Sequence, residues 1–297
     1  MQGQTDLLSR GVPLTDLLEG RDRTYVGSSA PDFSLNRLYY RSDALRPPLR
    51  IGVMIDRARA PQLFMREVLK DVCNCNFARI VCVIENCDPS VNSAHRPTFP
   101  ARVAATLLNA ERRRALFHIA YLRWLDRRYK LQPDPCAEAD CRDLFGDARR
   151  IEVAPLRQRF VHRFPPEAVD EIKSLELDVI LRFGFNIIRG DILQAARYGV
   201  WSFHHGDSER YRGGPALLWE LIEGNPLSGA VLQRLDESLD AGAVLCSAIL
   251  ATCPRPSVAL NRHSVFWSTQ HFVIRKLYEL HRYGPEHLKA RTRRCAV

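Results

Sequence analysis

Two short apolar runs with a helix-like segment between them constrain the fold of this chain more than any other feature. Residues 49–55 (LRIGVMI) and 78–84 (ARIVCVI) are rich in β-branched side chains and predict two buried strands. Between them, Pro61 can open a helix that continues to about Val72 with one apolar face. Strands joined by a helix are typical of a parallel sheet covered on both faces, so the sequence predicts a doubly wound α/β domain.

The same alternation continues further along the chain and sets the expected domain organisation. We expect a short strand at 151–154, a helix at 165–175 and buried strands at 179–183 and 200–204. Residues 1–48, which end in Arg46-Pro47-Pro48, are expected to form an N-terminal extension. The α/β domain then covers 49–250 with a helical insertion at about 86–150, and 251–297 form a helical segment with a basic tail.

The charge balance favours an anionic partner without identifying it. The 297 residues carry 43 Lys and Arg against 34 Asp and Glu, a net charge of +9. These charges are spread along the chain, so a basic enzyme is favoured over a nucleic-acid-binding protein. The Arg-rich helix expected at 101–129 either faces an anion or is a solvated amphipathic helix, and the solvated alternative is preferred.

Other features concern location and metal binding. No apolar run approaches the ~20 residues that cross a bilayer, and the N-terminus has no secretory pattern, so we expect a cytoplasmic protein without a membrane partner. The nine cysteines include no pair of CxxC motifs. We therefore expect free thiols and no metal site.

Chemically informative residues are concentrated between 199 and 242. A predicted strand ends in His204 and His205, which point to opposite faces, so one of them is expected to enter a pocket and the other to be structural. Tyr211 and Arg212 precede a glycine-started helical pattern and either bind an anion or anchor the loop. The turn containing Asp236 and Asp240 is either ordinary turn capping or functional.

This combination resembles the folate-dependent formyltransferase family, which carries Asn-x-His at a strand end, then Tyr/Trp-Arg-Gly, then Asp-x-x-Leu/Val-Asp-x-Gly. His204 matches the family's catalytic histidine, Tyr211-Arg212-Gly213 follow in register, and Leu239-Asp240-Ala241-Gly242 match the last motif. Ser202 stands where the family has asparagine, and Gly206-Asp207-Ser208-Glu209 replace its Ser-Leu-Leu-Pro loop.

The resemblance implies N-formyl transfer from 10-formyltetrahydrofolate to the amine of a small, anionic acceptor such as an amino-sugar nucleotide. It implies that His204 stabilises the oxyanion and that Asp240 holds the charge of the histidine. Ser202 or His205 is expected to replace the missing amide donor. The remaining expected contacts are to the donor pterin (Phe183, Gly184, Phe185, Asn186 and Asp236) and to the acceptor (Tyr211, Arg212 and Gly213).

The resemblance leaves several alternatives open. Phe185 and Ile187 fit core packing as well as they fit pterin contact, and Arg212 fits a structural salt bridge nearly as well as an acceptor site. The altered loop leaves open a different acyl or one-carbon donor, or a catalytically weakened member of the family. A homodimer is a further alternative.

Overall fold

A computed structural model describes residues 35–57, 60–88, 124, 127–128, 131–158, 160–207, 209–211, 215–237, 242–253, 257–291 and 293–294. Its main feature is an eight-stranded sheet in the order β11-β10-β9-β8-β6-β1-β2-β3. Its strands are β1 Leu49–Asp56, β2 Ala78–Asn86, β3 Arg149–Val153, β6 Val179–Arg182, β8 Val200–His205, β9 Leu227–Arg234, β10 Ala243–Ala251 and β11 Arg293–Arg294. Strands β3, β2, β1, β6 and β8 pair in parallel, and β9 to β11 extend the sheet in antiparallel pairs.

Helices cover both faces of this sheet. Consecutive strand residues point alternately to the two sides, so neighbouring residues of one strand join different cores. Val53 joins a core with Phe64, Phe266 and Leu277 on one face, whereas its neighbour Met54 joins a second core on the other face. The helices are α1 Leu63–Asn74, α2 Arg142–Phe145, α3 Pro166–Ser174, α4 Trp219–Ile222, α5 Val258–Thr269, α6 Phe272–Tyr283 and α7 Pro285–Arg291. The predicted doubly wound, mostly parallel α/β fold is therefore confirmed.

A second, small sheet was not expected from the sequence. It has the order β4-β5-β7, formed by Leu156–Gln158, Val161–Arg163 and Ile187–Arg189. Three-residue strands are too short to show an alternating pattern, so they could not be recognised from the sequence. Two further segments are 3₁₀ turns, at Leu35–Tyr39 and Asp191–Gln194.

Residues 35–48 and the C-terminal helices, which were expected to lie outside the α/β domain at 49–250, pack against that domain. Asp71 on α1 accepts hydrogen bonds from Nδ2 of Asn36 at 2.7 Å and from the hydroxyl of Tyr40 at 2.5 Å. Ser42 Oγ lies 2.9 Å from Nδ1 of His281 on α6. Helices α5 and α6 in turn contribute buried side chains to the core beside β1, so residues from Leu35 onward and the C-terminal helices belong to the same folded unit.

Several expected features lie partly or wholly outside the described residues. These include residues 1–34, and most of the insertion and Arg-rich helix, where only 124 and 127–128 are described between 89 and 130. Within the described ranges, no helix combines the length and apolarity that crossing a bilayer requires. The same ranges contain no group of three or more His, Cys, Asp or Glu side chains placed to hold a metal ion.

Candidate functional site

A cavity of about 270 Å³ opens at the carboxyl ends of the parallel strands β1, β6 and β8. Ligands of open α/β sheets gather at this edge, because the connections that leave the strands there create crevices. Its polar wall comes from Asp56, Arg182, Ser202 and His205, and Phe64 of α1 and other apolar side chains form the opposite wall. A wider cavity of about 830 Å³ adjoins it along the ends of β1 to β3 and shares Asp56 with it.

Arg182, the last residue of β6, is a cavity residue that the sequence analysis missed. Its Nη1 donates to Ser202 Oγ at 2.9 Å, and its Nη2 donates to the carbonyls of Phe185 at 3.0 Å and Asn186 at 2.6 Å. The parallel register pairs Arg182 directly with Ser202, so both side chains leave the sheet at the same level. The guanidinium is thereby fixed in place beside the serine that replaces the family's asparagine.

His204 is buried on β8, two residues beyond Ser202 and on the same face of the strand. Its Nε2 lies 2.8 Å from the carbonyl oxygen of Tyr211. A carbonyl only accepts hydrogen bonds, so Nε2 carries the proton in this contact. Tyr211 therefore fixes which tautomer of His204 is present.

His205 points to the other face and lies in an aromatic cluster that also borders the cavity. Its ring stacks on Phe266 with centroids 3.6 Å apart and on Phe203 at 5.4 Å. No hydrogen-bond partner for its enclosed Nε2 occurs among the residues that the structure describes. Burial, and secondarily the nearby His204 and Arg262, lowers the pKa of His205 to about 3, so its ring stays neutral at physiological pH.

Tyr211 has a role in anchoring the loop as well as contacting His204. Its hydroxyl donates to Glu223 Oε2 at 2.7 Å and accepts from Asn225 Nδ2 at 3.2 Å, which ties the loop to the end of α4. Its predicted contact with an acceptor stays a prediction. The predicted site residues Arg212, Gly213 and Asp240 lie outside the described residues.

The segment predicted to contact a pterin has most of its backbone donors already in use. The N–H groups of Phe183 and Gly184 both donate to the Met54 carbonyl, and the N–H of Phe185 donates to Asp56 Oδ1 at 2.8 Å. Gly184 is also held against β1, since a Cβ there would lie 2.3 Å from the carbonyl carbon of Ile55.

The side chains predicted to contact a pterin divide between the core and the exposed surface. The Phe185 ring is buried with its centroid 4.8 Å from that of Phe164, which favours its core-packing alternative. Asn186 is exposed, and Asp236 is exposed after β9, where Glu237 Oε1 accepts from the Gly190 N–H at 2.8 Å. Among the described residues of this segment, a folate could therefore bond to the Asn186 side chain and to carbonyl oxygens with a spare lone pair. These groups fit a folate only in part, and the predicted contacts stay predictions.

Glu220 on α4 is a second residue that the sequence analysis missed. It is 0% exposed, and its carboxyl lies near His204. The sequence pattern placed it in a helix without indicating which side it would face. Its burial follows from the packing of residues 215–225, which include α4, on α5. Asn261 Nδ2 of α5 donates to the Leu217 carbonyl at 3.4 Å.

Comparison with known proteins agrees with this architecture and defines the class. Residues 128–259 match the family described as "Formyl transferase". The matched stretch covers less than half of the 297 residues, and this part of the chain is similar to that family. The chemistry of this family is formyl transfer from a folate-type donor, and its members are enzymes.

Individual relatives are distant. The chain is 31% identical over 112 residues to the methionyl-tRNA formyltransferase of Rickettsia prowazekii, covering 34% of this chain and 37% of that protein. It is 28% identical over 120 residues to that of Legionella pneumophila, covering 37% of each chain. The matches therefore span little more than a third of the length of these relatives.

Solved structures agree in fold. Glycinamide ribonucleotide transformylase 1 from Symbiobacterium toebii superposes with a TM-score of 0.50 at 13% identity, over 84% of this chain and 95% of that one. The enzyme of the same name from Geobacillus kaustophilus gives 0.50 at 13% identity, over 79% and 99%. At such low identity these likenesses concern the fold alone.

Proposed function

We propose that this protein transfers a formyl group from 10-formyltetrahydrofolate to the amine of a small anionic acceptor, such as an amino-sugar nucleotide. The observation that carries the proposal is the placement of Ser202 and His204 on one face of β8, with Arg182 bonded to Ser202 in the wall of a cavity; His204 itself is not one of the residues that line this cavity. The family match over residues 128–259 supports the reaction class. A small-molecule acceptor is favoured over a nucleic acid because the site is concave.

The proposed reaction needs a hydrogen-bond donor for an oxyanion and a route for a proton, and both must come from the protein. The amine nitrogen of the acceptor bonds to the formyl carbon while the bond from that carbon to the folate nitrogen breaks, and a proton passes from the amine to the leaving nitrogen. The tetrahedral oxyanion formed on the way requires a donor, and His204 in its charged form supplies one. Asp240 would hold that charge and relay protons, as the family resemblance implies.

Arg182 fills the role that the missing asparagine leaves open. Ser202 is shorter than asparagine, but Arg182 donates to its hydroxyl and places a permanent positive charge at the same level of the sheet. We therefore assign the second oxyanion donor to Arg182 acting with Ser202. His205 is a weaker candidate, because its ring is neutral and stacked between Phe203 and Phe266.

The adjoining cavities suit an acceptor larger than a simple amine. Together with the pocket beside Arg182, the open cavity of about 830 Å³ has the size of sites that bind nucleotide-like molecules. Arg57, Arg142 and Arg150 border it and can meet an anionic group. The cytoplasmic location and the homodimer stay predictions.

The test is a transfer assay with purified full-length protein, formyl-labelled 10-formyltetrahydrofolate and a panel of amino sugars, amino-sugar nucleotides and other small anionic amines. We expect a labelled product with at least one amine and a loss of more than about 100-fold in kcat for His204→Gln. His287→Gln, on α7 outside the site, is the matched control. Transfer that is absent for every amine, or equal in the wild type and His204→Gln, would contradict the proposal.

A second candidate uses the same fold with a different acyl or one-carbon donor. It is favoured by one observation, namely that the N–H groups of Phe183, Gly184 and Phe185 are already bonded within the protein. Calorimetry with reduced folates separates the two candidates. Binding of any reduced folate favours the first candidate, and no binding of any of them favours the second.

A further inference from the structure

The carboxyl group of Glu220 has no role in the function proposed above, yet its environment is unusual. The residue is 0% exposed, and no side chain that the structure describes donates a hydrogen bond to its carboxyl oxygens, which have only the backbone N–H groups of Glu220 and Asp207 nearby. Burying a carboxylate without partners is costly, so such a group is retained where a neighbouring charge or proton stabilises it.

The imidazole of His204 is a neighbouring group that can do so. A Cβ built on Gly206 would lie 3.1 Å from His204 Nε2 and 3.7 Å from Glu220 Oε1, so both side chains border the space that this glycine leaves open. The Tyr211 carbonyl, which accepts from Nε2, borders the same space at 3.4 Å. The glycine thus allows a carboxyl and an imidazole from different parts of the chain to converge.

Several described groups interact electrostatically with Glu220 and His204. Burial raises the pKa of Glu220, as does the carboxylate of Asp207, whereas the backbone N–H groups of Glu220 and Asp207 and the His204 ring favour its charged form. On the other side of His204, the ring of His205 interacts with it and with Arg262. Glu220 is therefore the described carboxyl best placed to balance a positive charge on His204.

We propose that Glu220 is a positioning residue for His204, whose buried carboxylate holds the imidazole in its charged, Nε2-protonated form. Tyr211 fixes the tautomer, and Glu220 favours the second proton on Nδ1. The catalytic meaning of this pair rests on the proposed function, because a charged His204 is the form that stabilises an oxyanion. The pairing itself is a property of the protein without substrates and is measured without turnover.

The sign of the effect follows from the charges. A carboxylate near an imidazole raises the pKa of the imidazole, so its removal lowers that pKa. The substitution Glu220→Gln keeps the size of the side chain and removes the charge.

The experiment follows the ring signals of His204 by NMR in the ¹⁵N-labelled full-length protein as pH is varied, with His204→Gln used for assignment. We expect Glu220→Gln to move the titration of the His204 ring signals to lower pH. We expect Glu209→Gln, which removes the same charge from an exposed side chain in the loop after β8, to leave that titration close to that of the wild type. Unchanged titration of His204 in Glu220→Gln, or equal shifts in both variants, would overturn the proposal.

A measurement on the wild-type protein covers the case in which Glu220→Gln fails to fold. If the two groups interact, the ¹³C signal of the Glu220 carboxyl shows an inflection at the pH where His204 titrates. Absence of that inflection would refute the pairing. In the transfer assay, we expect the acid limb of the pH–kcat profile of Glu220→Gln to move in the same direction as the titration of His204. A merely structural role of Glu220 would instead lower kcat equally at all pH values.

Failure of this proposal and failure of the proposed function are distinguishable. Coupled titration without formyl transfer supports the pair and contradicts the activity. Transfer that depends on His204 but is unaffected by Glu220→Gln, with uncoupled titrations, supports the activity and removes Glu220 from it.

Discussion

The aromatic cluster around His205 predicts a measurable acid destabilisation of the folded protein. The ring is stacked 3.6 Å from Phe266, and its pKa is about 3 in the folded state against the usual value of 6.5 when unfolded. Between these values the unfolded chain binds a proton at this position and the folded protein does not. The contribution of the neutral ring to stability is therefore complete above pH 6.5 and is lost progressively as the pH falls toward 3.

The size of the effect follows from these two pKa values. At pH 5 the unfolded state gains about 2 kcal/mol from protonating this histidine, relative to pH 8. Other groups also titrate in this range, so the wild-type loss alone does not isolate the contribution. The substitution His205→Phe keeps a stacked ring in the cluster and removes the titration.

The assay is urea unfolding of the wild type and of His205→Phe at pH 8 and pH 5, followed by circular dichroism. The wild type is expected to lose about 2 kcal/mol more than His205→Phe between the two pH values, whatever the absolute stability of the variant. An equal loss in both proteins would show that His205 is solvated or hydrogen-bonded in solution, and would refute the stacked, neutral ring.

Three further predictions concern the cavity and its frame. Gly184→Ala should lower the free energy of unfolding by about 1–3 kcal/mol, because the added Cβ would meet the backbone of Ile55, and urea unfolding measures it. Arg182→Gln should reduce kcat about 100-fold with a smaller change in KM if its guanidinium stabilises an oxyanion, whereas a change in KM alone would make it a binding residue. Gly206→Ala should push His204 away from the Tyr211 carbonyl and shift its NMR titration, and an unshifted titration would contradict the contact.

The main sheet could be predicted because its strands are local patterns. The runs at 49–55 and 78–84 are apolar and β-branched over seven residues each, and they lie within β1 and β2. The short strand expected at 151–154 overlaps β3, which begins two residues earlier at Arg149 and ends one residue earlier at Val153. The expected helix at 61–72 lies at 63–74, a difference of the size usual for helix ends.

The positions of Arg182 and Glu220 could not be predicted in the same way, because they depend on contacts between distant segments. Arg182 follows an apolar run and looked like the end of a strand, and only the register with Ser202 places its guanidinium in the cavity. Glu220 looked like the polar side of a short helix, and its burial follows from loop packing on α5. Basic residues at the carboxyl ends of parallel strands were the available signal for Arg182, whereas no sequence signal identifies Glu220.

The two neighbouring histidines owe their different environments to the side-to-side alternation of β8. His204 contacts the Tyr211 carbonyl on one surface of the sheet, and His205 stacks on Phe266 on the other. Deleting a single residue earlier in this strand would exchange the two surfaces, placing the imidazole of His204 among phenylalanines and that of His205 in the polar loop. Strand length before this pair is therefore as strict a requirement for the site as the identity of either histidine.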